Sequence, residues 1–189
     1  MNLEDIEMLI DTHGKSVFSF CMKLTLNKED AEDLYQQTFL KALELNKKIN
    51  KYNNPKSFLI SIAINLWKNL KRKYARHQRI APLVYVDEPN THEVADSINI
   101  ENDAINKELK AELLDSVNNL NDKLRIPILL YYNSELSIEE IALALKIPKG
   151  TVKSRLHKGR LIIKKDLEAK GYEGYEECRF SSKGYSFIL

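Results

Sequence analysis

Apolar residues recur at intervals of three and four along most of the chain. That spacing puts them on one side of a helix, not on alternate faces of a strand. Leu3, Ile6, Leu9 and Ile10 open the series, and Val17, Phe18, Cys21 and Leu24 imply a second helix from about Lys15 to Leu26. Asn27 then precedes Lys28-Glu29-Asp30, an N-cap followed by acids that suit the positive end of a helix dipole. The third helix runs to about Leu45 with Ala31, Leu34, Thr38 and Ala42 inward. Asp30, Asp33, Gln37 and Lys41 make a polar stripe along it. A loop from Lys47 to Pro55 leads into a fourth helix, from about Lys56 to His77. Its apolar face is Phe58, Leu59, Ile62, Ala63, Leu66 and Leu70, and Trp67 is expected to pack in the core. Ser61, Asn65, Lys68, Arg72 and Arg76 form a polar face that turns basic toward the C-terminal end.

Charge divides the chain further. Residues 1–80 hold 14 basic and 9 acidic side chains, and residues 107–170 hold 13 and 9. Between them, residues 81–106 hold six acids, Pro82 and Pro89 and no Lys or Arg, which reads as an extended acidic linker. The net charge of +2 hides two mildly basic blocks, and local fields set any attraction to a polyanion. The expected fold class is all-α, with two small helical domains joined by that linker. The division is 1–80, 81–106, 107–170 and a tail, 171–189.

Several chemistries have no support. Cys21 and Cys178 are far apart with no CxxC spacing, so two reduced thiols are expected, not a disulfide scaffold or zinc site. His13, His77, His92 and His157 show no metal-ligand spacing. No phosphate-binding glycine loop or nucleophile motif occurs, so no catalytic residue, cofactor or small-molecule substrate is expected. The acidic N-terminus lacks a signal peptide's basic and apolar regions, and no apolar run could span a bilayer. A cytoplasmic location follows as an expectation.

The segment from Ser137 carries the strongest signal. Ser137-Ile138-Glu139-Glu140 has the form of a capping box, and Ile141, Ala142 and Leu145 give a short helix its buried side. Lys146 to Gly150 make a turn, and a second helix begins near Thr151 with Val152, Leu156 and Gly159 inward. This is a helix-turn-helix layout, whose second helix enters the major groove. Lys153, Ser154, His157 and Lys158 lie on the exposed side, with Arg155 and Arg160 close by, and can donate to or adapt to base edges. Lys146 stands where such turns often have Gly, and a left-handed conformation there would cost on the order of 1 kcal/mol.

Three separated blocks together resemble one family. Asp30-Ala31-Glu32-Asp33-Leu34 with Gln37-Thr38-Phe39 resembles the polymerase-binding helix of bacterial sigma factors. Ser57 to Asn65 resembles the promoter-melting helix that follows it. Gly150 to Arg160 is similar to the recognition helix of their fourth region. The order and spacing are those of the extracytoplasmic-function (ECF) group, and the resemblance covers about residues 1–170.

The resemblance implies a transcription initiation factor, not an enzyme, that binds core RNA polymerase and promoter DNA. It assigns the polymerase surface to Asp30, Asp33, Gln37, Phe39 and Lys41. It assigns the minus-ten element to Tyr52, Asn53, Asn54, Lys56, Asn65, Lys68, Arg72 and Lys73. The minus-thirty-five element falls to Thr151, Lys153, Ser154, Arg155, His157, Lys158 and Arg160. It further implies a linker that threads toward the polymerase active-site channel, and an anti-sigma factor, often membrane-anchored, as partner. Two rivals from other classes are a helix-turn-helix regulator with an N-terminal sensor domain and a helical nuclease. The acid-capped third helix and basic fourth helix are not what a sensor needs, and the acids cluster on outer faces, not in an inward pair. The tail, with Tyr172, Tyr175, Phe180, Tyr185 and Phe187, is apolar enough that packing on the C-terminal domain is expected.

Overall fold

A computed structural model describes residues 3–45, 54–80 and 103–172, and the chain divides into two compact units, Met1–Glu93 and Val94–Leu189. All seven elements among the described residues are helices. The first unit holds α1 (Leu3–Thr25), α2 (Lys28–Glu44) and α3 (Pro55–Ile80). The second holds α4 (Asp103–Asn118), α5 (Asp122–Tyr132), α6 (Ile138–Leu145) and α7 (Lys149–Ala169). No helix among the described residues is long and apolar enough to cross a membrane. Tyr52, Asn53, most of the acidic linker and the tail beyond Tyr172 lie outside the described residues.

In the first unit α1, α2 and α3 pack on one another. The two N-terminal helices read from the sequence are one continuous helix, α1, that runs through Gly14. A mid-helix Gly costs about 1 kcal/mol relative to Ala, and here packing accounts for it. A β-carbon at Gly14 would lie 2.8 Å from the Tyr35 hydroxyl of α2. The Tyr35 ring fits there edge-on between Phe18 and Phe39, with centroids 5.6 and 5.0 Å away. The chain reverses at Leu26, whose φ of 62° ends α1. Burial pushes the Cys21 thiol up to about 12, which keeps it protonated and inert.

In the second unit α7 touches α4, α5 and α6 and is the centre of the packing. Its buried side is Val152, Leu156, Gly159, Ile163 and Leu167, a stripe at intervals of four, three, four and four. Every residue of α5 from Leu124 to Leu130 is buried, as expected for a helix enclosed on all sides. That includes Arg125, whose guanidinium desolvation holds below its ordinary value while Asp122 pulls the other way. The capping box forms: Ser137 Oγ accepts the Glu140 N–H at 3.2 Å, and Glu140 accepts the Ser137 N–H at 2.8 Å. Lys146 is left-handed, with φ 55° and ψ 47°. α7 closes with Gly171 at φ 89°, where the Tyr172 N–H bonds Leu167 O and the Gly171 N–H bonds Glu168 O.

A polar cluster ties α4 to the end of α7. Lys170 Nζ lies 2.7 Å from Glu112, 3.1 Å from Asp115 and 3.2 Å from Asp166, and the Ser116 hydroxyl donates to Asp166. First the Ser116 hydroxyl and then Lys170 hold the Asp166 carboxyl below its ordinary value of 3.8. A carboxyl lowered by folding stabilises the native state above its unfolded value, and that gain disappears as pH falls through the folded one.

Two outcomes follow. Lys146→Gly relieves the left-handed strain and should raise stability by about 0.5–1 kcal/mol in urea unfolding; no gain would show that Lys146 is not strained in solution. Asp166→Asn should lower the urea midpoint at pH 7 and lower it less at pH 3. Equal losses at both pH values would show that the Asp166 charge does not support the α4–α7 contact.

Candidate nucleic-acid interface

The first candidate surface is the outer side of α2. Asn27 caps it, its side chain accepting the Asp30 N–H at 3.2 Å. Because Ala31, Leu34, Thr38, Phe39 and Ala42 are buried, Asp30, Asp33 and Gln37 face solvent. Lys41 is half-buried and pairs with Glu44. Phe39 departs from expectation. It is 5% exposed and stacks on Tyr35, so it shapes the helix from below and presents no ring to a partner. Charge patterning passed over Leu40, three residues beyond Gln37, which is 62% exposed. An apolar residue outside the core-facing period was the available signal.

α3 shows a sharp change along its length. Residues 57–64 are all buried, because α1 and α2 both pack on α3. Ser61, read as part of the polar face, is therefore inside, and its hydroxyl donates to the Phe58 carbonyl at 2.7 Å. Asn54 is the helix cap, with Oδ1 accepting the Ser57 N–H at 3.3 Å just before Pro55. That acceptor therefore supports the backbone. Lys56 is half-buried near α1, where burial and then its charge hold His13 below its ordinary value. Asn65 is exposed, its amide donating to Ser61 O at 2.8 Å. Beyond it Lys68 is half-buried, and residues 71–77 are all exposed, including Lys71, Arg72, Lys73 and Arg76. Trp67 is buried, with the Lys71 ammonium 4.7 Å above its ring. The distal half of α3 is thus a basic, exposed arm.

The second candidate surface is α7. Lys153, Ser154, His157 and Lys158 are exposed in one row, while Thr151 and Arg155 are half-buried. The Ser154 hydroxyl donates to Thr151 O at 3.0 Å, which leaves its oxygen able to accept. Glu139 at the start of α6 pairs with Lys149 at 2.8 Å, which bridges the turn and, with lesser help from Lys153, lowers the Glu139 carboxyl. Arg160 again departs from expectation. It is half-buried, its Nε donates to the Tyr132 hydroxyl at 2.7 Å, and its guanidinium lies 5.5 and 5.6 Å from the Tyr131 and Tyr132 rings.

Residues 9–77 match the family Sigma-70 region 2, and residues 110–163 match Sigma-70, region 4. The chain is 31% identical over 168 residues to the ECF RNA polymerase sigma factor SigW of Bacillus subtilis, covering 84% of this chain and 87% of that protein. It is 29% identical over 150 residues to the ECF RNA polymerase sigma-E factor of Haemophilus influenzae, covering 76% and 77%. Among solved structures, the sigma factor RpoE of Bartonella quintana, in complex with the anti-sigma factor NepR, shares the fold. The TM-score is 0.72 at 23% identity, over 88% of this chain and 98% of that one.

The cap at Asn54 makes a direct prediction. Asn54→Ala should cost about 1 kcal/mol of first-unit stability, and Asn54→Asp should recover most of it. Thermal unfolding of the full chain tests this; an Ala variant as stable as the parent would remove the capping role.

Proposed function

The chain belongs to the ECF group of RNA polymerase sigma factors, which direct the polymerase to promoters, and from that membership we propose how its residues divide the work. The observation that carries the proposal is the two-sidedness of α7. It buries Val152, Leu156, Gly159 and Ile163 and leaves Lys153, Ser154, His157 and Lys158 in an exposed row. Set behind a capped α6 and a tight turn, that row suits the major groove of the minus-thirty-five element.

The first unit takes the other contacts. Asp30, Asp33, Gln37 and Lys41 bind core polymerase, with exposed Leu40 as the apolar part of the contact. The basic arm of α3, with Asn65, Lys68, Arg72 and Lys73, tracks the phosphates of the minus-ten element, and such contacts position the strand more than they read it. Tyr52 and Asn53 capture an unstacked base during melting by stacking and edge hydrogen bonds. The acidic segment 81–106 is the connector that passes into the polymerase channel. An anti-sigma factor, in some settings anchored to a membrane, is the regulatory partner. RpoE, a protein of the same fold, is in complex with the anti-sigma factor NepR, which supports this last reading.

Two sets of variants test the division. Asp33→Arg with Gln37→Ala should abolish co-elution with sigma-free core polymerase and leave thermal unfolding unchanged. Lys153→Ala and Lys158→Ala should keep co-elution but weaken promoter binding, each by about 1–3 kcal/mol where it contacts a base edge. Run-off transcription on genomic fragments with the reconstituted holoenzyme gives the common readout. Unchanged polymerase binding, or unchanged transcription, by the respective variants overturns the corresponding half.

A further inference from the structure

Arg160 shares the outer stripe of α7 with Lys153 and His157, seven and three residues ahead of it, yet its tip does not join theirs. It turns onto α5. Its Nε donates to the Tyr132 hydroxyl at 2.7 Å, and its guanidinium lies against the rings of Tyr131 and Tyr132, themselves edge-on with centroids 4.9 Å apart. Tyr132 is buried, so its hydroxyl needs a partner, and a charged donor gives a strong one. One residue earlier, a β-carbon at Gly159 would lie 3.1 Å from Ile128 Cγ1. Neighbouring positions thus fix different degrees of freedom: Gly159 sets how close α7 comes to α5, and Arg160 resists rotation of α7 about its own axis.

We propose that Arg160 is a positioning residue for promoter recognition, holding α7 in the rotation at which Lys153, Ser154, His157 and Lys158 meet base edges, and that it is not itself a DNA contact. This rests on the reading of α7 given above. Side chains on a helix end about 5–6 Å from its axis, so a 10° rotation moves their tips by about 1 Å. A hydrogen bond to a base edge does not survive that displacement, whereas a phosphate contact largely does. Loss of the latch therefore reduces specific binding more than non-specific binding.

The experiment uses full-length protein in holoenzyme with core RNA polymerase. The probe is a duplex from a promoter that the wild-type holoenzyme transcribes, with an unrelated duplex of equal length as competitor. Arg160→Lys keeps the charge but loses the planar fork; Tyr132→Phe keeps the ring and loses only the hydroxyl. Each should lower the specific-to-non-specific ratio about tenfold, the worth of one base-edge contact. The salt slope should stay unchanged, and the double variant should be no worse than either single one. Arg160→Ala should behave likewise. A slope shallower by about one for Arg160→Ala, with Arg160→Lys and Tyr132→Phe like wild type, would make Arg160 a phosphate contact and overturn the proposal. Lys153→Ala and Lys158→Ala in the same assay separate the two levels. If both bind like wild type, the reading of α7 fails and the latch with it. If both are weakened while Tyr132→Phe and Arg160→Lys are not, only the latch fails.

Discussion

Where α7 passes Ile128 of α5, a β-carbon at Gly159 would lie 3.1 Å from Ile128 Cγ1, and that tight contact favours glycine at the point of closest approach. A helix is stiff, so its anchors together fix the facing of every other residue. With Gly159 against Ile128, Val152, Leu156, Ile163 and Leu167 point into the core. The residues between them, Lys153, Ser154, His157 and Lys158, are exposed. The capping box at Ser137 and the left-handed Lys146 set the direction from which the chain enters α7, and Gly171 ends it. The exposed basic row is therefore a consequence of packing on the opposite side.

The first unit obeys the same logic with a different outcome. Gly14 admits the Tyr35 ring, which lets α1 and α2 close on each other and on the N-terminal half of α3. That half is enclosed on all sides and can touch nothing outside the unit. Beyond Asn65 the polar side of α3 changes to Lys68, Lys71, Arg72, Lys73 and Arg76, and residues 71–77 are exposed. A single helix thus serves as core at one end and as a charged arm at the other.

Signals that act over three or four residues were legible in the sequence. The caps at Asn27 and Ser137 and the left-handed Lys146 each depend on the chain immediately around them, and each is found where it was expected. The periodicity of α2 and α7 located their buried sides for the same reason. Features that depend on distant partners were not legible. The sequence suggested two N-terminal helices where there is one, because the partner of Gly14 inside α1, Tyr35, lies 21 residues away along the chain. Ser61 looked exposed because helical spacing does not reveal that two helices cover α3. Phe39 and Arg160 were placed on outer faces because a family motif records residue type and position, not which side chain bends back onto a tyrosine. Asn54 was read as a base contact, and the sequence did not show that its Oδ1 also caps α3 by accepting the Ser57 N–H.

With Arg160 engaged by Tyr132, the exposed row of α7 is two lysines, a serine and a histidine. Lysine is a compact point charge without arginine's two-pronged fork, so it reads a guanine less stringently and serves a phosphate equally well. Ser154, already donating to Thr151 O, offers an acceptor and suits an amino group on a base. On the proposed reading such a face holds DNA firmly and discriminates among sequences modestly. On the same reading the remaining discrimination falls to the first unit, where melting would expose base edges that a duplex hides. Joining both units in one chain makes the second engagement, on the proposed reading, intramolecular, with an effective concentration set by the connector's length and stiffness. On that reading two modest readers together select a promoter that neither would single out alone, provided the spacing between the two elements matches what the connector spans. Promoter spacing is on that reading part of the recognised signal, and the length of the segment between α3 and α4 bears on specificity alongside the side chains of α7.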